Sequence, residues 1–130
     1  MLIDTSGFLC FNEKEEPFHE KAVELYDSAK ARLTTNYVLA EYTALAQVRG
    51  IARRKITEFS TRILETEEIE IVWVNESLHR QAVELIKERP DKNYSLCDAV
   101  SFVVMRMRDI SEALTTDKHF EQEGFVRLLK

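Results

Sequence analysis

The chain opens on three apolar residues, Met1-Leu2-Ile3, and breaks at Asp4. A run this short and this apolar predicts a buried first strand. The stretch that follows, up to Glu16, carries no predicted element. From Pro17 to Ala31, the positions Phe18, Ala22, Leu25, Tyr26 and Ala29 recur at helical spacing, with Pro17 suited to the first turn. Leu33-Thr34-Thr35 predicts a brief strand on its threonine content. Asn36 reads as the N-cap of a helix that Gly50 ends. A second helix follows from Ile51 to about Glu65, with Ile56, Phe59 and Ile63 on one face.

Ile69-Glu70-Ile71-Val72-Trp73-Val74 is the plainest strand. Asn75 then caps a helix that runs to Arg89 and is closed by Pro90. After the loop 91–94, Ser95 and Asp98 have the spacing of a capping box. The helix behind them, Leu96 to about Met107, has so few polar positions that it belongs in the centre of the domain. Glu112 to Thr116 predicts a strand, a short helical turn leads to Gly124, and Phe125 to Leu129 predicts the last strand. Strands alternating with helices signal an α/β fold: a single domain over 1–130, a mostly parallel central sheet, and helices on both faces.

Composition narrows the class. A chain of 130 residues with 45% hydrophobic and 32% charged residues is one globular domain. No apolar run approaches the ~20 residues that cross a bilayer, and Asp4 interrupts any leader-like start. No membrane association and a cytoplasmic location are expected. Cys10 and Cys97 lie far apart without CxxC spacing, so they read as reduced core thiols. The net charge of −5, 23 acids against 18 bases, argues against a nucleic-acid binder unless several acids converge in one pocket.

Element parity says that they do. In parallel sheets ligands bind outside the carboxyl ends of the strands. Asp4 and Asp117 each follow a predicted strand and fall at that edge. The helix starting at Asn36 follows a strand, so Glu41 sits one turn or so below the same rim, ~7–8 Å at 1.5 Å per residue. The helix carrying Asp98 runs into the strand 112–116, so its first turn starts at that edge as well. Each acid has a plainer reading taken singly. Asp98 caps with Ser95, Asp117 caps the next turn, Asp4 stands in a turn, and Glu41 flanks an apolar stripe. Four such accidents on one edge are much less expected than one.

Two carboxylates ~4 Å apart repel by roughly 4 kcal/mol at an effective dielectric near 20. Protons or a cation must therefore occupy such a site. Oxygen ligands without His or Cys favour Mg²⁺ or Mn²⁺ over zinc. His19, His79 and His119 are scattered and read as surface or core residues. Walker, GxGxxG and Ser-His-Asp arrangements are absent, and clustered carboxylates with divalent metal are the apparatus of phosphodiester hydrolysis.

The segments Met1-Leu2-Ile3-Asp4-Thr5-Ser6 and Asn36-Tyr37-Val38-Leu39-Ala40-Glu41 resemble the opening motifs of PIN-domain ribonucleases. Tyr94-Ser95-Leu96-Cys97-Asp98-Ala99 and Leu114-Thr115-Thr116-Asp117-Lys118-His119-Phe120, followed by Gly124-Phe125, resemble the later ones. The likeness spans the chain in order and is nearest to VapC-like toxins of toxin–antitoxin pairs. It implies a PIN-like fold and a Mg²⁺- or Mn²⁺-dependent endoribonuclease whose catalytic and metal-binding residues are Asp4, Glu41, Asp98 and Asp117. Thr5, Ser6, Ser95 and Thr116 stand where hydroxyls support the acids. Cys97 departs from the small residue or Thr common before the third acid, and is expected to point away from the metal. The resemblance also implies an RNA substrate, a homodimer, and a cognate antitoxin whose C-terminal segment covers the acidic groove.

Arg49, Arg53, Arg54 and Lys55 lie beyond Glu41 and suit either an RNA backbone or a solvated helix junction. Arg106 and Arg108 are too far along their helix to reach a metal at Asp98. A phospho-acceptor receiver would need an acceptor Asp after the mid-chain strand, where Val74-Asn75 stands. Two further readings stay open: an RNA-processing nuclease without a toxin role, and a non-enzymatic cation- or protein-binding module on the same fold.

Overall fold

Five parallel strands form one sheet in the order β3-β2-β1-β4-β5 in a computed structural model that describes residues 1–130. The strands are β1 (Leu2–Ile3), β2 (Leu33–Thr35), β3 (Glu70–Val72), β4 (Glu112–Leu114) and β5 (Val126–Arg127). The helices are α1 (Thr5–Asn12), α2 (His19–Ser28), α3 (Asn36–Val48), α4 (Arg53–Glu65), α5 (Glu76–Glu88), α6 (Leu96–Met107) and α7 (His119–Gln122). Successive strand residues point to opposite faces, and two cores result. Ile3 and Leu114 join Phe8, Val38, Tyr42, Phe59 and Ile63 beneath α1–α4. Leu2, Leu33 and Ala113 join Leu78, Leu85, Val100, Phe102 and Met105 beneath α5 and α6.

The expected order of elements holds, with one addition. Helix α1 begins directly after β1, and Thr5, Gly7, Phe8, Leu9 and Cys10 are all buried. Eight residues buried on nearly every side show no amphipathic stripe, which is why periodicity did not reveal the helix. Gly7 lets α1 lie against β4: a Cβ there would stand 2.1 Å from the Leu114 carbonyl oxygen.

Two local corrections bear on the site. The N-cap of α3 is Thr35, whose Oγ1 accepts from the Val38 N–H at 3.2 Å; Asn36 instead accepts from the Val74 N–H at 2.7 Å, tying α3 to the segment after β3. The fourth strand ends at Leu114, not Thr116, so Asp117 stands three residues past it. Pairing continues only through the Thr115 carbonyl, which accepts from the Leu129 N–H at 3.1 Å. The end of α3 follows the sequence reading. Gly50 at φ +77° lets the Ile51 N–H return to the Ala46 carbonyl at 3.0 Å.

The strand order reverses between β1 and β4. In open parallel sheets the crevice at such a switch point, at the carboxyl ends, is where ligands sit. Asp4 leaves β1 there, and Thr115 to Asp117 leave β4.

Candidate active site

Asp4 occupies the N-cap position of α1, yet its side chain accepts no capping hydrogen bond. Its Oδ2 turns instead to Thr115, whose Oγ1 donates to it at 2.9 Å. With that proton committed, Ser6 Oγ donates to Thr115 Oγ1 at 3.1 Å and accepts from the Thr116 N–H at 2.9 Å. The Asp117 N–H donates to the same Thr115 oxygen at 3.0 Å. The supporting hydroxyl on Asp4 is therefore Thr115 and not Thr116, whose side chain makes no hydrogen bond. Alternation explains the swap: Thr115 is buried at the strand end and Thr116 lies one position outward.

Glu41 reaches the same edge from α3, where its Oε1 accepts from Thr5 Oγ1 at 2.6 Å. Asp98 sits in the first turn of α6 and completes a capping box. Its Oδ2 accepts from the Ser95 N–H at 3.1 Å, while Ser95 Oγ accepts from the Asp98 N–H at 3.0 Å. Asp117 Oδ1 accepts from the His119 N–H at 2.9 Å. The plain capping reading of Asp98 is thus true as far as it goes, whereas the N-cap of α7 is Lys118 and Asp117 lies one residue before it. For Asp4 such a reading fails.

The acids fall into two groups. One ligand atom each of Asp4, Glu41 and Cys97 lie within 4.8 Å of one another, and so do those of Asp98, Asp117 and His119. His119, read from the sequence as a surface or core residue, joins the site, with Nδ1 at 3.2 Å from Asp98 Oδ2 and 3.3 Å from Asp117 Oδ1. Its two-residue offset from Asp117 was the available signal. Cys97, expected to point away, stands in the Asp4 and Glu41 group because the residue before Asp98 on α6 faces β1 and α3. Burial, with the charges of Glu41, Asp4 and Asp98, pushes its thiol upward, so it is a protonated wall of the pocket and not a thiolate.

Burial dominates the electrostatics. Asp4 is 4% exposed and Asp98 6%. Desolvation, with the charges of Asp98 and Glu41 and against the Thr115 hydrogen bond, pushes the Asp4 carboxyl up to about 7. Burial, then the charge of Asp117, raises Asp98 as well. Asp4 Oδ1 is buried and makes no hydrogen bond in the protein. A buried carboxylate oxygen without a partner, on a residue with other acids close by, has the chemistry of a position a hard cation would fill.

The protein's likenesses agree with this chemistry. Residues 1–125 match the family model described as PIN domain. The chain belongs to the PIN domain family. It is 30% identical over 129 residues to the 23S rRNA-specific endonuclease VapC20 of Mycobacterium tuberculosis, covering 98% of this chain and 97% of the relative. The crystal structure of M. tuberculosis VapC20, described as a sarcin-ricin loop cleaving toxin, has a TM-score of 0.90 to this chain at 28% identity. It covers 99% of this chain and 98% of its own.

Beyond the acids, this PIN domain neutralises most of its basic junction internally. Arg49 pairs with Glu16 at 3.1 Å, Arg54 with Glu58 at 2.9 Å, and Lys55 with Glu13. Arg53 makes no ion pair, so the junction is chiefly a solvated, paired surface. Arg106 and Arg108 stay clear of the acids, as their distance along α6 requires. Arg106 binds Glu123 at 2.5 Å and Arg108 binds Glu70 at 2.6 Å.

Proposed function

We propose that this PIN domain is a metal-dependent endoribonuclease that cleaves RNA phosphodiester bonds, with Asp4, Glu41, Asp98 and Asp117 as its metal-binding and catalytic residues. The observation that carries the reading is the orphaned Oδ1 of buried Asp4, at the sheet's switch point and within the influence of the Glu41 and Asp98 carboxylates. Mg²⁺ or Mn²⁺ suits this oxygen-rich set. Asp4 and Asp98 are the primary ligands, Asp117 completes the set, and Glu41 closes it from α3. A divalent ion bound by these acids would supply positive charge near the attacked phosphate and lower the pKa of a water. The chain's own part is positional. Thr115 fixes one oxygen of Asp4, Thr5 fixes Glu41, and the Ser95 box fixes Asp98, so the acids are set before substrate arrives.

Near-full-length likeness to VapC20 supports the toxin role within a VapBC-type pair, with RNA as substrate, a cognate antitoxin as inhibitor, a homodimeric state and a cytoplasmic setting. No helix is long and apolar enough to cross a membrane. Exposed Trp73 and Leu64, beside Leu39 on a groove between α3 and α4, support a protein partner. The acidic groove suits an inhibitor that inserts an Arg or Lys. Cleavage of single-stranded RNA by the wild-type protein in Mg²⁺ or Mn²⁺, lost in Asp98→Asn, tests the activity. No cleavage by the wild-type protein would contradict the activity, and equal cleavage by Asp98→Asn would contradict the assignment of Asp98.

A further inference from the structure

His119 is held at the acidic edge by a network built around the buried Glu123. The Tyr94 ring and the imidazole pack in a T-shaped arrangement, with centroids 5.4 Å apart. The Tyr94 hydroxyl donates to Glu123 Oε1 at 3.1 Å, and Glu123 is clamped by Arg89 at 3.0 and 3.2 Å and by Arg106 at 2.5 Å. Glu123 itself is only 8% exposed. Packing on Tyr94 thus helps set where the ring meets Asp98 and Asp117.

Separations of 3.2 and 3.3 Å from Nδ1 to the two carboxylate oxygens suit two chemistries. One is an Nδ1–H donating to the carboxylates. The other is neighbouring corners of a coordination shell, since ligand bonds of about 2.1–2.2 Å place adjacent ligands of an octahedron about 3 Å apart. With the ring in its Nε2–H tautomer, Nδ1 offers a lone pair to a divalent ion between these oxygens with little movement. The unpartnered Oδ1 of buried Asp4, in the neighbouring Asp4–Glu41–Cys97 group, is the independent sign that the same sheet edge suits a cation. Of the two groups of ligand atoms, only Asp98–Asp117–His119 offers an imidazole, where the other has the protonated Cys97 thiol. Imidazole nitrogen suits transition-metal ions, whereas Mg²⁺ prefers oxygen and keeps its waters.

We propose that His119 Nδ1 is a ligand of a second cation locus formed with Asp98 and Asp117, and that this locus takes a transition-metal ion, Mn²⁺ or Co²⁺, in preference to Mg²⁺. The inference rests on the metal-dependent reading above and specifies which ion one half of that site selects.

Calorimetric titration of the full-length wild-type protein and of His119→Asn with MnCl₂, CoCl₂ and MgCl₂ separately tests it. Asn keeps a hydrogen-bond donor near the Nδ1 position but has no imidazole lone pair. The expected result is a loss of tenfold or more in Mn²⁺ and Co²⁺ affinity, with Mg²⁺ affinity changed less than threefold. Pulsed electron paramagnetic resonance of the Mn²⁺-loaded wild-type protein should show imidazole ¹⁴N coupling, a readout independent of whether the variant folds. Equal losses for all three ions, no loss for any, or absence of the nitrogen coupling would overturn the assignment and leave His119 a hydrogen-bond clamp. Failure of the wild-type protein to bind any divalent ion would instead overturn the metal-dependent reading itself.

Discussion

Thr115 Oγ1 joins two acids that the chain separates by more than a hundred residues: it donates to Asp4 Oδ2 at 2.9 Å and accepts from the Asp117 N–H at 3.0 Å. Thr115→Val removes both partners inside the protein. An unpaired buried polar group costs about 1–3 kcal/mol, so urea unfolding should show a loss of that size. RNA cleavage should fall about tenfold or more as Asp4 loosens. Thr116→Val touches no hydrogen bond of its side chain and should stay within about 0.5 kcal/mol of wild type. The opposite ranking would contradict the assigned role of Thr115.

The metal-free protein should lose stability as pH rises from about 4 to about 7. Burial raises the Asp4 carboxyl from its ordinary value to about 7 and raises Asp98 in the same direction. Across that window the native state holds protons that the unfolded chain has released, so the unfolding free energy falls with rising pH. Glu123 and Glu70 are held below the ordinary range. Their contribution is present above the unfolded value and is lost only on acidification below it, so it does not mask the slope at pH 5–7. Asp4→Asn should flatten this dependence and melt higher at pH 7 in EDTA. Denaturant midpoints across pH 5–7 check it; a variant slope equal to wild type would contradict it.

Glu123 anchors Arg89, Arg106 and Tyr94 with a side chain that is 3% exposed. Breaking a buried charge pair by removing one partner costs about 3–5 kcal/mol. Both arginines reach solvent, with 34% and 46% exposure, so Glu123→Gln should cost less, about 2 kcal/mol. The same variant frees Tyr94, and with it His119, so cleavage should drop more than stability alone explains. Unfolding midpoints and cleavage rates measured below the transition separate the two effects.

The acids were legible because element parity is a coarse property: Asp4, Glu41, Asp98 and Asp117 needed only a correct order of strands and helices to reach one edge. Side-chain partners were not. Whether Thr115 or Thr116 faces Asp4 depends on where β4 ends, a matter of one residue, and a one-residue shift inverts every side chain of a strand. Helix α1 went unseen because burial on nearly all sides removes the amphipathic signal. His119 and Cys97 were misplaced because their neighbours come from other elements: Tyr94 and Asp98 for one, Asp4 and Glu41 for the other.

Thermal melting of the wild-type protein in EDTA and in Mn²⁺ or Mg²⁺, run beside RNA cleavage in the same buffers, tests the four-carboxylate metal site most directly. An ion that binds only the native state adds RT ln(1 + [L]/Kd), ~2.7 kcal/mol at a hundredfold excess over Kd. The melting temperature should rise with metal and fall back with EDTA, cleavage should follow it, and Asp4→Asn should blunt both. Cleavage that persists in EDTA, with a melting temperature that no divalent ion moves, would contradict the account.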